Sequence, residues 1–267
     1  SPALRRRDLS DIKFQLADED TLSEAAPVRV AVNGRDERDW LRDGGSDVVC
    51  GVYEGGFKTW ECAFDLIALL DATYAPGMLD GKRVLELGCG SALPGIRQLQ
   101  RHPQVQVDFQ DYNREVLRLV TLPNVLANTT NEPEMDYATE DWHRLTQDTT
   151  AQETLTKTVA ARSRFLAGDW ATLSTALGAS GQYDLILTAE TIYHEASHAK
   201  LHDAICHALR KPDGVAYVAA KTVYFGCTGS TLTFEQHVQA AGQLRLERCH
   251  QVESSVRREI LKLSWRV

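Results

Sequence analysis

Long apolar runs are missing from this chain. No stretch approaches the roughly 18 residues a membrane span requires, and no signal-peptide pattern opens the sequence. It begins at Ser1 rather than Met, so the second absence decides nothing about its address. Paired cysteines are missing too. Cys50, Cys62, Cys89, Cys206, Cys227 and Cys249 are scattered without a CxxC, which argues against zinc and against a disulfide framework and leaves reduced thiols as the expectation. Nor is there a basic block beyond Arg5-Arg6-Arg7. With 37 acidic residues against 29 basic and a net charge of −8, direct nucleic-acid binding is not expected. Surplus acid either draws a basic partner or merely keeps the chain in solution. What remains is ordinary: 43% hydrophobic and 25% charged residues over a length of 267, enough to bury a large core.

The pattern divides the chain into an N-terminal extension over 1–50 and one domain over 51–267. In the extension only "DIKFQL" and "VRVAVN" (28–33) look like short strands. Trp60, Ala63, Phe64, Ile67 and Ala68 then recur at helical spacing and predict a helix over 59–72, with Thr59 as its cap and Glu61 in its positive first turn. From residue 82 strands and helices alternate. "RVLELGCG", "VQVDFQDY", "RFLAGDW", "YDLILTAETIY" and "VAYVAAKTVYF" read as strands, with helices at "REVLRLV", 197–210 and Phe234–Ala241. "LRLERCH" and "REILKLSWRV" close the chain as two more strands. The fold class expected is α/β: a Rossmann-like, doubly wound, seven-stranded sheet, mostly parallel, with a C-terminal antiparallel hairpin at one edge. Residues 129–160 are acidic and threonine-rich and read as a surface insertion.

Gly88 and Gly90 follow a strand and precede a helix, where glycine lets the backbone approach a ligand. A dinucleotide fingerprint would need glycine at 93, where Leu93 stands, and the next glycine is Gly95. Nicotinamide and flavin are therefore disfavoured. Asp111 ends the next strand, 23 residues past Gly88, close to the ~20 expected for an acid gripping ribose hydroxyls. Taken alone it is an ordinary strand-end aspartate. "GDW" places Asp169 and Trp170 where an adenine would lie, one accepting from an amino group and one stacking. Together these features suit S-adenosyl-L-methionine, which leaves S-adenosyl-L-homocysteine as product.

"VYEGGFKTWEC", "VLELGCGSALPGI", "FQDYN", "LPNVLAN", "GDW" and "YDLILTAETIY" together resemble the histidine protein methyltransferases, a branch of the seven-strand methyltransferases, from about Val52 to Val267. The first and last stretches are the specific ones, since the glycine loop is shared by many methyltransferases. The resemblance implies that Thr59, Trp60, Glu61, Cys62 and Ala63 line the cofactor pocket, with Gly55-Gly56 turning the chain across it. It also assigns Gly88, Gly90, Gln110, Asp111, Tyr112, Gly168, Asp169, Trp170 and Ala189 to that pocket. Family members often carry serine where Ala189 stands, so a hydroxyl contact is lost there. The plainer alternative for Trp60 is core packing. The implied acceptor is a histidine of a large-subunit ribosomal protein, a basic partner, and the implied setting is cytoplasm or nucleus. A monomer without membrane association is expected.

Methyl transfer needs a neutral nucleophile held in line. Imidazole, with a reference pKa near ~6.5, is largely neutral at neutral pH. A lysine must first lose a proton, about 10.4 − 7 = 3.4 units or roughly 4.6 kcal/mol. A histidine enzyme thus needs orientation and tautomer choice, which one carboxylate accepting the N–H of the non-reacting nitrogen supplies. Glu190 in "AETIY" follows a strand at the ligand end of the sheet and is the candidate, with Tyr193 as pocket wall or hydrogen-bond donor. The plainer alternative is that Glu190 caps the next helix and Tyr193 packs. His194 and His198 sit at i, i+4 on one predicted helix face, but no third ligand is evident, so no metal is expected and both are expected to be surface histidines. A lysine methyltransferase of a sister branch and a non-catalytic cofactor-binding adaptor are the competing readings.

Overall fold

A computed structural model describes residues 3–7, 10, 13, 31–32, 35–36, 54–129, 157 and 159–266. Most of the 1–50 extension, including all of "DIKFQL" except Lys13, and most of the acidic insertion lie outside these residues, as does any test of the domain division. Of "VRVAVN", Ala31–Val32 (β1) is described, pairing antiparallel with Arg35–Asp36 (β2).

The main sheet has seven strands. They are β3 (Arg83–Leu87), β4 (Gln106–Asp111), β5 (Ser163–Ala167), β6 (Leu185–Ala189), β7 (Val215–Lys221), β8 (Leu244–Val252) and β9 (Arg258–Trp265), in the order β5-β4-β3-β6-β7-β9-β8. The first five are parallel, while β9 runs antiparallel between β7 and β8. This is the expected doubly wound α/β sheet with its C-terminal hairpin. The strand order reverses between β3 and β6, so the crevice beyond their carboxyl ends is where such a sheet receives a ligand.

Alternation along the strands feeds two cores. Val84, Leu185, Leu187, Tyr217 and Ala219 face α1 (Glu61–Thr73) and α2 (Leu93–Arg101), meeting Cys62, Leu66, Leu70, Ile96 and Leu99. Leu85, Leu87, Ile186, Ala216 and Val218 face the other way. There they meet Leu173 of α4 (Trp170–Leu177), Leu201 and Ile205 of α5 (His198–Ala208), and Phe234 and Val238 of α6 (Thr231–Ala241). With both faces covered, the central strands are buried on both sides and mostly apolar, with Glu86, Asp108, Gln110 and Thr188 as buried polar exceptions.

The third helix, α3, runs as Arg114–Val116, a π-helical turn Leu117–Thr121, and Leu122–Thr129. The wide turn has a consequence for the site: Thr121 Oγ1 reaches back to donate to the Gly90 carbonyl at 2.7 Å. Asn124 and Asn128 accept the Arg7 and Arg5 amides at 2.7 and 2.9 Å, so part of the basic N-terminal trio is docked on α3.

Three boundaries depart from the sequence pattern. Trp60, not Thr59, is the N-cap of α1, and no side chain caps it. Strand β6 stops at Ala189 rather than running to Tyr193, because Glu190 adopts φ +58°, which no strand accommodates. Helix α6 begins at Thr231, three residues before the apolar pattern, because Ser230 accepts the Thr233 amide at 3.0 Å in a capping box.

Candidate active site

Beyond the carboxyl ends of β3, β4, β5 and β6 lies a cavity of about 300 Å³. Its floor is the loop after β3. Gly88 has φ +59°, and a Cβ there would lie 2.7 Å from Thr191 Cγ2. Gly90 has φ +48°, and its Cβ would lie 3.1 Å from the Gly56 carbonyl oxygen. Glycine is required at both by backbone angle and by close approach.

Asp111 buckles this loop. Its carboxylate accepts the Gly90 amide at 2.9 Å through Oδ2 and the Asn113 amide at 3.1 Å through Oδ1, and it lines the cavity. Burial pushes its carboxyl up to about 6 although both amides pull the other way. The Tyr112 amide also stabilises this carboxylate, which keeps lone-pair capacity for a ligand hydroxyl. Tyr112 lines the cavity beside it.

Gln110 stands behind the wall and holds it together. Its oxygen accepts the Trp170 indole N–H at 2.8 Å and the Gly88 amide at 3.3 Å, and its amide donates to the Gly168 carbonyl at 2.7 Å. One side chain on β4 thus joins the loop after β3 to the loop after β5. Gly168, Asp169 and Trp170 line the cavity. Asp169 caps α4 through the Ala171 amide at 2.9 Å and pairs with Lys200 at 2.7 Å. Its carboxyl is held low: burial works against that, but Lys200 and the amide outweigh it.

The lead-in to α1 forms the opposite wall. Glu54, Gly55, Gly56, Lys58, Trp60 and Ala63 line it. Gly56 fits against Val116, whose methyls would stand 2.8 Å from a Cβ. The Trp60 indole donates to the Gly55 carbonyl at 3.2 Å, which fixes the ring across the turn. Of the stretch predicted to line the pocket, Thr59, Glu61 and Cys62 do not face the cavity. Cys62 is sealed in the core, and Glu61 pairs with Lys221 at 3.0 Å.

Ala189, Glu190, Thr191 and Tyr193 close the fourth side. Thr188 Oγ1 donates to the Leu87 carbonyl at 2.9 Å, which ties the end of β6 to that of β3. Glu190 follows in the left-handed conformation, 8% exposed, with its amide on the Ala219 carbonyl at 2.8 Å. Among the described residues no donor meets its carboxylate oxygens in good hydrogen-bond geometry, although the Lys221 ammonium lies 3.4 Å from Oε1 and the Tyr224 hydroxyl and Cys62 thiol border it. A strained, buried and unfilled acceptor at a crevice is the arrangement a ligand N–H would complete. The plainer expectation, that Glu190 caps the following helix, does not describe its surroundings. The Tyr193 hydroxyl donates to Glu54, and its ring meets that of Tyr224 edge-on at 6.2 Å.

Glu54, Glu86, Lys200 and Lys221 escaped the sequence reading. Glu54 adjoins the quoted glycine pair and Lys221 ends a strand at the ligand side of the sheet, so position was the available signal for both. Glu86 accepts the Gly95 amide at 2.8 Å, and burial pushes its carboxyl up to about 8. The two histidines expected at the surface of one helix go separate ways: His198 is buried, its Nε2 2.9 Å from the Ile192 carbonyl, while His194 precedes the helix and faces Thr228 at 3.5 Å. No group of three potential metal ligands stands together among the described residues.

No family model matches the chain. It is similar to a histidine protein methyltransferase 1 homolog of Bos taurus, 38% identical over 226 residues that cover 83% of this chain and 58% of that protein. It thus spans under two thirds of the bovine relative. With histidine protein methyltransferase 1 of Schizosaccharomyces pombe it is 32% identical over 248 residues, covering 88% of this chain and 68% of that one. Among solved structures the fold is similar to that of the YcgJ protein of Bacillus subtilis. That match has a TM-score of 0.51 and 11% identity, and covers 76% of this chain and 99% of that one.

Proposed function

The chain belongs to the histidine protein methyltransferase family, and from that premise we propose that it moves a methyl group from S-adenosylmethionine to a histidine side chain of a protein. The observation that carries this reading is Glu190: a buried carboxylate at the strand-order switch, backbone-strained, with no donor in good hydrogen-bond geometry to either oxygen among the described residues.

The methyl donor fits the cavity on the residues present. Gly88 and Gly90 leave the floor free of side chains, Asp111 offers lone pairs for ribose hydroxyls, and Trp170 offers an aromatic wall for the base. Asp169 accepts from Ala171 and Lys200 through separate oxygens and keeps lone-pair capacity for an adenine amino group. When bound, the donor supplies an electrophilic methyl group on a sulfonium sulfur.

The remaining work falls to the chain itself. Glu190 accepts the N–H of one imidazole nitrogen, which sets the tautomer and leaves the lone pair of the other to attack. As the methyl arrives the ring becomes cationic, and the same carboxylate stabilises that charge where it develops. No strong base is required, because the acceptor arrives neutral. Tyr193, held by Glu54, walls the acceptor side.

A basic acceptor protein suits the net charge of −8, and the resemblance points to a large-subunit ribosomal protein. The test is to incubate the protein with isotopically labelled donor and purified large ribosomal subunits, then localise the label by mass spectrometry. Label on a histidine is expected. Label confined to lysine would replace this reading with the lysine one.

A further inference from the structure

Lys221 ends β7 beside the acceptor side of the cavity, and the reaction as described gives it no part. Its backbone is fixed: the amide donates to the Tyr224 hydroxyl oxygen at 3.2 Å, and the residue pairs across the sheet with Arg258 of β9. Its ammonium lies 3.0 Å from Glu61 Oε2 and 3.4 Å from Glu190 Oε1, and 5.2 Å above the Trp60 ring. Two carboxylates and an aromatic face thus hold one cation in place. Burial pulls the ammonium's pKa down, but Glu61 and Glu190 outweigh it and leave it raised, so Lys221 is charged at working pH. The other polar groups bordering Glu190 are neutral. Burial first, then the nearby Glu190 charge, push the Cys62 thiol and the Tyr224 hydroxyl far above their ordinary range.

We infer that Lys221 is a specificity-determining positioning residue: its ammonium holds Glu190 as an acceptor for a neutral imidazole N–H and keeps a cationic lysine acceptor away from the same carboxylate. A carboxylate alone at this mouth would attract an ammonium more strongly than an imidazole. With a resident cation 3.4 Å from Oε1, a second ammonium meets a like charge at the place it would have to occupy, whereas a neutral ring meets none. The side chain of Glu61 is largely exposed, so it anchors Lys221 from the solvent side and leaves the inner contact to Glu190. The inference rests on Glu190 being the acceptor-side carboxylate of the proposed reaction.

The experiment uses two synthetic peptides, identical except that the single acceptor is histidine in one and lysine in the other, each tested with labelled donor. Binding of N-acetyl-histidinamide and N-acetyl-lysinamide is followed by ligand-observed NMR alongside. The quantity read is the histidine-to-lysine ratio of labelling and of binding, in which the fraction of folded protein cancels. Lys221→Met should lower that ratio at least tenfold with donor affinity within threefold of wild type. Lys221→Arg should keep most of it, because a cation remains beside Glu190. Glu61→Gln should shift it by less than threefold, since the inner contact survives. An unchanged ratio in Lys221→Met, or an equal fall in Lys221→Arg and Lys221→Met, would overturn the inference. A wild-type enzyme that preferred the lysine peptide, or labelled and bound neither probe, would overturn the histidine reading beneath it.

Discussion

The Tyr193 hydroxyl donates to the Glu54 carboxylate, and this single hydrogen bond joins the loop after β6 to the segment that leads into α1. Both residues line the cavity, so the bond links two of its walls. Tyr193→Phe keeps the ring and its edge-on contact with Tyr224 while removing the link. Turnover should fall at least tenfold, with donor affinity changed less than threefold, because the donor's own contacts lie on the Gly88 and Asp111 side. Calorimetry beside steady-state rates checks this. Equal losses in both would make Tyr193 part of the donor site instead.

Asp111 gives a pH dependence. Burial raises its carboxyl to about 6, so the acceptor form is mostly present at neutral pH and mostly protonated one unit below that midpoint. Donor affinity should therefore weaken about tenfold between about pH 7 and about pH 5. Asp111→Asn retains one oxygen for the Gly90 amide but has no charge to lose. It should bind at least tenfold more weakly at neutral pH and show a flat profile over the same range. A wild-type profile that is equally flat would take Asp111 out of the donor site.

Glu86 is buried at the foot of the same loop, and there the sign runs the other way. Its carboxyl is raised from an ordinary 4.5 to about 8, chiefly by burial, with the nearby Asp111 adding to it. Between those values the folded chain binds more protons than the unfolded chain. Its contribution to stability is thus full below about pH 4.5 and lost as pH rises through about 8. Glu86→Gln has no proton to lose and can still accept the Gly95 amide. Its midpoint in urea should gain on wild type as pH is raised from about 5 to about 9. A constant difference between the two proteins would show that Glu86 is already ionised when folded.

Much of this architecture was legible because strand, loop and helix alternate with little ambiguity from residue 82 onward. The missing third glycine was legible as a departure from the dinucleotide pattern, but its cause needed three dimensions. A Cβ on Gly95 would lie 2.5 Å from Glu86 Oε2 and 2.6 Å from the Phe109 ring, so glycine is needed at 95 for packing and not for a pyrophosphate. Gln110 was drawn to the site by resemblance, yet its side chain braces two loops from behind. Spacing along a strand says which face a residue takes, not whether the face meets a ligand or a neighbouring loop. Lys221 and Glu54 showed only by position, and their roles stayed hidden for a related reason. Each acts through a partner more than 30 positions away in sequence, as the Glu190–Lys221 and Glu54–Tyr193 pairs show.

The last prediction separates activity from stability at Glu190. A non-glycine residue at φ +58° carries backbone strain of about 1–2 kcal/mol, and this carboxylate is buried without a hydrogen bond of good geometry among the described residues. Glu190→Gly removes the strain and the unfilled acceptor together, although a freer unfolded chain offsets about 0.5–1 kcal/mol of the gain. Its thermal midpoint should equal or exceed that of wild type, while turnover falls at least a hundredfold because nothing orients the imidazole. Glu190→Gln keeps the side-chain shape and the strain. It should lose turnover to a similar degree without gaining stability, since its amide places a donor beside the Lys221 ammonium. Thermal melts and turnover measured on the same preparations check both variants. A Glu190→Gly protein that melted well below wild type would mean that the left-handed residue is held for folding, and the case for Glu190 as an acceptor-side group would lose its main support.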